Sequence, residues 1–229
     1  MVEGGCLLSN CTAFKPYRGF ESHSLRSFRT ESENNAARYS FFTQLRYTPT
    51  SAQARIHAAL DHPGRNAVFA RIAFGNGLTT ALINEALYQA AHGEKRVLLL
   101  SPSFITSRIR HMAEADVLSG RVPFESRCNI GDKKILFMGG AIKFGTYRQI
   151  PFGENYDLVL MDDAGYGPGP SWGDLAPHLA ERNGSIAIGL SNRPDAARAA
   201  WPEMLAQVLR GDPNFNYSEV DDGCKRIRK

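Results

Sequence analysis

Ala70-Arg71-Ile72-Ala73-Phe74-Gly75-Asn76-Gly77-Leu78-Thr79-Thr80 joins a short apolar run, Ala67 to Ala70, to a segment from Thr79 to Ala91 whose leucines and alanines recur at helical spacing. Strand, glycine-bearing loop and helix in that order suit anion binding. Glycines let backbone N–H groups turn inward, the helix N-terminus faces the negative charge, a lysine reaches outer phosphates and a Ser or Thr holds Mg²⁺. Against G-x-x-x-x-G-K-[S/T], Gly77 and Thr79 stand in register, but Ile72 replaces the first glycine and Leu78 the lysine. From this stretch alone, a plain strand-turn-helix reads equally well.

A second stretch, Tyr156-Asp157-Leu158-Val159-Leu160-Met161-Asp162-Asp163-Ala164, is a buried-strand pattern ending in paired carboxylates. Two adjacent acids at the end of such a strand are costly unless a cation or water compensates them. This is the form of a Walker B motif, in which the first acid, Asp162, holds Mg²⁺ through water and the second, Asp163, polarises the attacking water. The glycine- and proline-rich run Gly165 to Pro170 follows, so acids that merely open a surface loop remain an alternative.

Short apolar runs alternate with helical patterns along the rest of the chain. Thr50 or Ser51 caps a helix reaching Leu60, and Asp61 to Gly64 breaks it. Val97 to Leu100 is a second strand and Ser103 caps a helix through Ala115. Val117 to Asp132 has no clean period and reads as connecting structure. Lys134 to Met138 and Ala141 to Phe144 form a short strand pair around Gly139-Gly140. Leu158 to Met161 is a third buried strand, Asp174 to Glu181 a helix, Ser185 to Leu190 a fourth strand and Asp195 to Leu209 a last helix. Strands alternating with helices predict an α/β fold with a mainly parallel central sheet and right-handed crossovers, with ligands at the carboxyl ends of the strands. The loops after Ala70, Leu100, Met161 and Leu190 then share one rim.

Order and spacing add a resemblance. Thr48-Pro49-Thr50-Ser51-Ala52-Gln53, the degenerate loop, Val97-Leu98-Leu99-Leu100-Ser101-Pro102-Ser103, Lys143 to Arg148, Asp162-Asp163-Ala164 and Gly189-Leu190-Ser191-Asn192-Arg193-Pro194 occur in this sequence in that order. The set, over about residues 47 to 195, resembles the ATPase domain of phage terminase large subunits and their superfamily 2 helicase relatives. The resemblance implies a three-layer P-loop NTPase fold of the RecA/ASCE-like kind, with ATP and Mg²⁺ as cofactors. It assigns nucleotide contacts to Gln53 (adenine), Gly75, Asn76, Gly77, Thr79 and Thr80, the metal to Thr79 and Asp162, orientation of the attacking water to Asp163, and coupling of hydrolysis to movement to Ser191 or Asn192. It further implies double-stranded DNA as substrate, an oligomeric ring, packaging partners such as a portal and a separate nuclease, and the cytoplasm of a bacterial host cell. The alternative is a catalytically inactive nucleotide-binding or interaction module, a decayed prophage remnant.

The departures from the family pattern matter. Leu78 leaves the phosphates without their lysine; the resemblance makes Arg71 the candidate to supply that catalytic cation, one position too early for a direct replacement, and a strand-end arginine paired with a carboxylate is the equal alternative. Asp163 stands where the family has Glu, so its carboxylate sits about 1.5 Å short of a water placed for Glu, a displacement that costs orders of magnitude in rate. Only about 35 residues follow Asp195, too few for a nuclease domain.

The remainder excludes more than it assigns. The chain has 229 residues, 43% hydrophobic and 22% charged, a globular composition with no apolar run long enough to span a membrane. Cys6, Cys11, Cys128 and Cys224 match no zinc spacing or tight disulfide framework, and Cys128 reads as an inert loop thiol. Ser101, Ser103 and Ser191 lack a nucleophile elbow. His57, His62, His92, His111 and His178 are dispersed and read as surface or capping residues. Tyr39, Phe41, Phe42 and Tyr47 read as an apolar cluster docking the N-terminal segment, with base stacking as the alternative.

Residues 1–35 have no period and balance four basic against four acidic residues, so the net charge of +4 belongs to the rest of the chain. Gly19-Phe20-Glu21 back-translates to a sequence that can contain GGTTCGA, the T-loop consensus of a tRNA gene. The segment therefore reads either as a disordered arm or as spurious read-through of such a gene, with no packed structure before about Ala36. The expected organisation is this segment, an ATPase-like domain over residues 36–210, and a tail over residues 211–229 ending in Lys225-Arg226-Ile227-Arg228-Lys229.

Overall fold

In the computed structural model the described residues are 31–129, 131–151, 153–181, 183–192 and 199–222. Residues 1–30, with the tRNA-like stretch, and the basic run Lys225 to Lys229 lie outside them.

The elements in chain order are α1 (Glu31–Gln44), α2 (Ser51–Asp61), β1 (Asn66–Ala73), α3 (Leu78–Ala91), β2 (Arg96–Ser101), α4 (Ser103–Leu118), β3 (Ser126–Asn129), β4 (Lys134–Phe137), β5 (Ala141–Thr146), β6 (Leu158–Met161), α5 (Trp172–Leu175), β7 (Ser185–Asn192), α6 (Trp201–Gly211) and β8 (Asn216–Asp221). They build one eight-stranded sheet in the order β3-β4-β5-β2-β6-β7-β1-β8. Strands β5, β2, β6, β7, β1 and β8 run parallel, and only the β3-β4-β5 edge is antiparallel. The chain crosses from β1 to β2 over two places, which β7 and β6 later fill.

Alternate strand residues divide between two apolar cores. Val68, Ala70, Ile72, Val97 and Leu99 pack with Ile56, Leu60, Leu82, Leu87 and Ile109 of α2, α3 and α4. Phe69, Leu98, Leu100, Val159 and Met161 pack on the other face with Leu175, Leu205 and Leu209 of α5 and α6. The fold is thus α/β in three layers, with the parallel strands buried on both faces as their unbroken apolar runs require.

Several elements differ from the sequence reading. Helix α1 begins at Glu31, so a boundary at 35 falls inside it; Arg38, Phe41 and Phe42 lie on its buried face with Leu45 buried just beyond its end, and the arginine disguises the apolar stripe. The aromatic cluster does dock this segment, since Phe41 and Phe42 meet Tyr88 of α3 edge-on; Tyr39 alone stays exposed. Within the stretch read as connecting structure, α4 continues to Leu118 and β3 pairs with β4. The helix expected over Asp174 to Glu181 is one α-turn, Trp172–Leu175, then a 3₁₀ turn at Ala176–His178, because Pro177 lacks the N–H a continuing helix needs. Helix α6 starts at Trp201, with Pro202 in its first turn, rather than at Asp195, which lies outside the described residues. Beyond Gly211, where the sequence reads as tail, β8 is an edge strand of the sheet. Polar residues break its alternation, and its partner β1 supplies the hydrogen bonds that fix it.

Candidate nucleotide site

Strand β1 ends at Ala73, and Asn76 N–H returns to Ala73 O at 3.0 Å to close a turn. Gly75 (φ 88°) and Gly77 (φ 73°) take left-handed conformations, and Gly77 is the N-cap of α3. The turn therefore delivers the first, unpaired N–H groups of α3 to the carboxyl rim of the sheet. A Cβ on Gly77 would lie 2.7 Å from Gln53 Nε2, so the glycine also admits that side chain.

Three elements converge on this turn. Thr79 Oγ1, in the first turn of α3, donates to both oxygens of Asp162, at 2.9 and 3.2 Å. Asp162 and Asp163 follow β6 and are 1% and 4% exposed, so the paired acids are buried rather than opening a solvated turn. Asp163 has a left-handed backbone (φ 54°), and the Ser191 hydroxyl, from the end of β7, donates to its carboxylate. Beneath the pair, the buried Tyr147 hydroxyl donates to the Asp162 carbonyl. Burial and the neighbouring Asp162 and Asp163 carboxylates hold this phenol well above its ordinary pKa, so it remains a donor.

Gln53 approaches from α2, whose capping box joins Thr50 and Gln53. Its amide donates to Asn76 O at 2.9 Å and Gly77 O at 3.0 Å, and its Oε1 accepts from Thr50 N–H at 2.8 Å. The Tyr47 hydroxyl lies 3.3 Å from Gln53 Oε1 and 3.0 Å from His57 Nε2. His57 Nδ1 is 2.6 Å from Glu85, whose carboxylate also accepts from Gln89 at 2.7 Å and Arg38 at 3.1 Å. Arg38 continues to His57 O and Asp61. Burial alone would raise the Glu85 carboxyl, but Arg38 and the hydrogen bonds from His57 and Gln89 pull it down to about 2. A buried polar chain thus runs from the loop to the α1–α2–α3 contact.

The structure brings Gln53, Gly75, Asn76, Gly77, Thr79, Asp162, Asp163 and Ser191 into this one rim, while Thr80 binds Asn84 through its carbonyl. Arg71 is not among them. It alternates with Ile72 onto the Phe69 face of the sheet, where its guanidinium lies 4.5 Å from the Phe69 ring, away from α3. Leu78 is buried in the core beneath α3. Of the histidines, His62 and His92 sit at helix C-caps and His111 is exposed, but His57 and His178 are buried, which corrects their reading as surface or capping residues. His57 is retained inside because Glu85 and Tyr47 satisfy both ring nitrogens. The sequence reading missed the Tyr47, His57 and Glu85 chain. It also missed Asp222, whose carboxylate accepts from Ala73 N–H and from Asn76 Nδ2 at 3.2 Å. Polar residues leave Asn216 to Asp221 without a clean alternation, so the sequence carried little signal for the latter.

A hydroxyl and a carboxylate converging beside a helix N-terminus fit a hard cation with few protein ligands, as Mg²⁺ requires. Among the described residues no group of three or more His, Cys, Asp or Glu side chains forms an all-protein metal site.

No protein-family model matches the sequence, and no curated protein matches it. Among solved structures, the fold is similar to that of the large terminase ATPase domain of Thermus phage P74-26, with 17% identity, a TM-score of 0.52, and coverage of 79% of this chain and 84% of that one. A point mutant of the same domain gives 16% identity and the same TM-score and coverage. S. cerevisiae Dbp5 bound to Gle1 has 17% identity and a TM-score of 0.49, over 81% of this chain and 50% of that one. The three-layer α/β fold is thus similar to that of a phage large terminase ATPase domain. Among the described residues, no helix is long and apolar enough to cross a membrane.

Proposed function

We propose that the domain binds ATP with Mg²⁺ at the Gly75–Thr80 turn and acts as an ATP-driven translocase domain on double-stranded DNA. The observation that carries this reading is the contact of Thr79 Oγ1 with both oxygens of Asp162. A hydroxyl in the first turn of α3 and a carboxylate ending β6 meet where the metal of a P-loop nucleotide would lie. Bound there, Mg²⁺ would neutralise phosphate charge. Thr79 and Asp162 would hold it, the N–H groups of the turn and of α3 would take the phosphates, and Asp163, fixed by Ser191, would orient a water. Gln53 would exchange one of its bonds to Tyr47, Asn76 or Gly77 for the adenine edge, which would couple that contact to the turn. A ring of subunits in the host cytoplasm, working with a portal and a separate nuclease, is the setting that fits such a domain.

A second reading has its own observation. Leu78 lies in the core and the Arg71 guanidinium lies on the opposite face of the sheet, so neither offers the turn a cation. That arrangement suits a module that holds nucleotide, or a partner, without turning over. Steady-state ATP hydrolysis by the full chain, with and without double-stranded DNA, separates the two. Turnover abolished by Asp162→Asn supports the translocase, and nucleotide binding without turnover supports the inactive module. Absence of Mg²⁺–ATP binding by a folded chain removes both nucleotide readings.

A further inference from the structure

We propose that Asp222 is a positioning residue that holds the phosphate-binding turn in its liganding shape, which makes the C-terminal strand part of the nucleotide site; the inference rests on the ATP-binding reading above.

Strand β8 runs parallel to β1 in a register that takes Asn66 opposite Asn216 and Arg71 opposite Asp221. The next residue therefore arrives beside the start of the turn. Its N–H donates to Arg71 O at 3.3 Å, and its carboxylate accepts from Ala73 N–H and from Asn76 Nδ2. Asn76 is consequently held from three sides: its N–H by Ala73 O, its carbonyl by Gln53 and its side chain by Asp222. Arg55, two residues beyond Gln53 on α2, donates to Asp221 O. Helix α2, the turn and the end of β8 thus close a ring of hydrogen bonds around Asn76.

A turn containing Gly75 and Gly77 has wide backbone freedom, and any of it left in the free protein must be surrendered on binding. A brace lowers that penalty. Among the described residues, the Asp222 carboxylate accepts from Ala73 N–H, at the entrance to the turn, and from the Asn76 side chain. Neither donor is an N–H group at the start of α3, which would face the phosphates. Its negative charge therefore secures the turn instead of standing in for the anion.

The test uses the full chain and Mg²⁺–ATP, comparing wild type with Asp222→Ala and Asp222→Asn by calorimetric binding and by amide exchange of the free proteins. Loss of a charged hydrogen-bond acceptor predicts at least about tenfold weaker binding for Asp222→Ala. Asp222→Asn keeps an acceptor oxygen and the side-chain shape, and stays within about threefold of wild type because the carbonyl still meets Ala73 N–H. Amides 73–77 exchange faster in Asp222→Ala while those of β2 and β6 are unchanged. Equal or tighter nucleotide binding by Asp222→Ala, or unchanged exchange in the turn, overturns the inference. If wild type binds no Mg²⁺–ATP, the reading beneath the inference fails with its nucleotide half, and turn exchange alone then decides whether Asp222 is a brace.

Discussion

Thr79 Oγ1 lies 2.9 Å from one carboxylate oxygen of Asp162 and 3.2 Å from the other, across a separation of 83 residues. One hydroxyl spans both oxygens of a buried acid at the point where the proposed Mg²⁺ would bind, and its removal should have two separable consequences. Without nucleotide, Thr79→Val leaves Asp162 short of a donor and lowers stability by about 1–3 kcal/mol. With nucleotide, the same variant needs at least about tenfold more Mg²⁺ for half-maximal ATP binding. Urea unfolding and Mg²⁺ titrations check the two. A stability loss with an unchanged Mg²⁺ requirement would show the contact to be structural only.

Asp163 combines a left-handed backbone, burial and a bond from Ser191, a conjunction typical of strain kept for function. Asparagine tolerates that backbone and keeps the shape without the charge. Asp163→Asn should leave the melting temperature unchanged or higher, and lower any ATP turnover by about two orders of magnitude while nucleotide affinity stays within about threefold. Calorimetry, binding and steady-state rates on one preparation check this; equal losses of affinity and rate would make Asp163 a binding group instead.

What could be read from the sequence follows from how local the signal is. The β1-turn-α3 unit and the acid pair of β6 were legible because strand, glycines and carboxylates are contiguous, and their meeting on one rim followed from a parallel sheet. Arg71 was misleading because strand alternation, which sends it to the Phe69 face, outweighs its nearness in sequence to Gly75. His57 and Glu85 were unreadable, since each makes sense only when two helices pack. Asp222 was hidden for the same reason: a polar edge strand has little pattern of its own, and the register with β1 gives it meaning.

The Arg38, His57 and Glu85 cluster gives stability a pH dependence with a definite sign. Glu85 titrates near 2 in the folded chain against an ordinary 4.5, so it binds fewer protons folded than unfolded, and its contribution is present above 4.5 and lost as pH falls toward 2. The loss is on the order of 3 kcal/mol. Asp61, whose carboxyl burial raises despite Arg38, opposes part of it. Urea unfolding between pH 5 and 2 should show the decline, and Glu85→Gln, less stable at pH 7, should flatten it. A variant curve parallel to wild type would assign the acid sensitivity to other carboxylates.

Leu78 is the residue on which the active and inactive readings part. It is 4% exposed, and its terminal carbons would lie 3.0 and 3.1 Å from a Cβ built on Gly189, so it fills the space beneath β7. Leu78→Lys should cost about 2–4 kcal/mol in the free protein through lost burial, plus a few tenths from placing a cation at a helix N-terminus. A lysine stem can lie along apolar surface while its ammonium emerges at the turn, and a bound triphosphate reverses the helix-terminus penalty. The variant should therefore melt lower alone yet gain more from Mg²⁺–ATP, with affinity improved about tenfold, because the added charge interacts only when phosphate is present. Thermal shifts with and without nucleotide measure the difference. Equal destabilisation in both states would mean that no phosphate lies within reach of position 78, which favours the inactive module over the translocase.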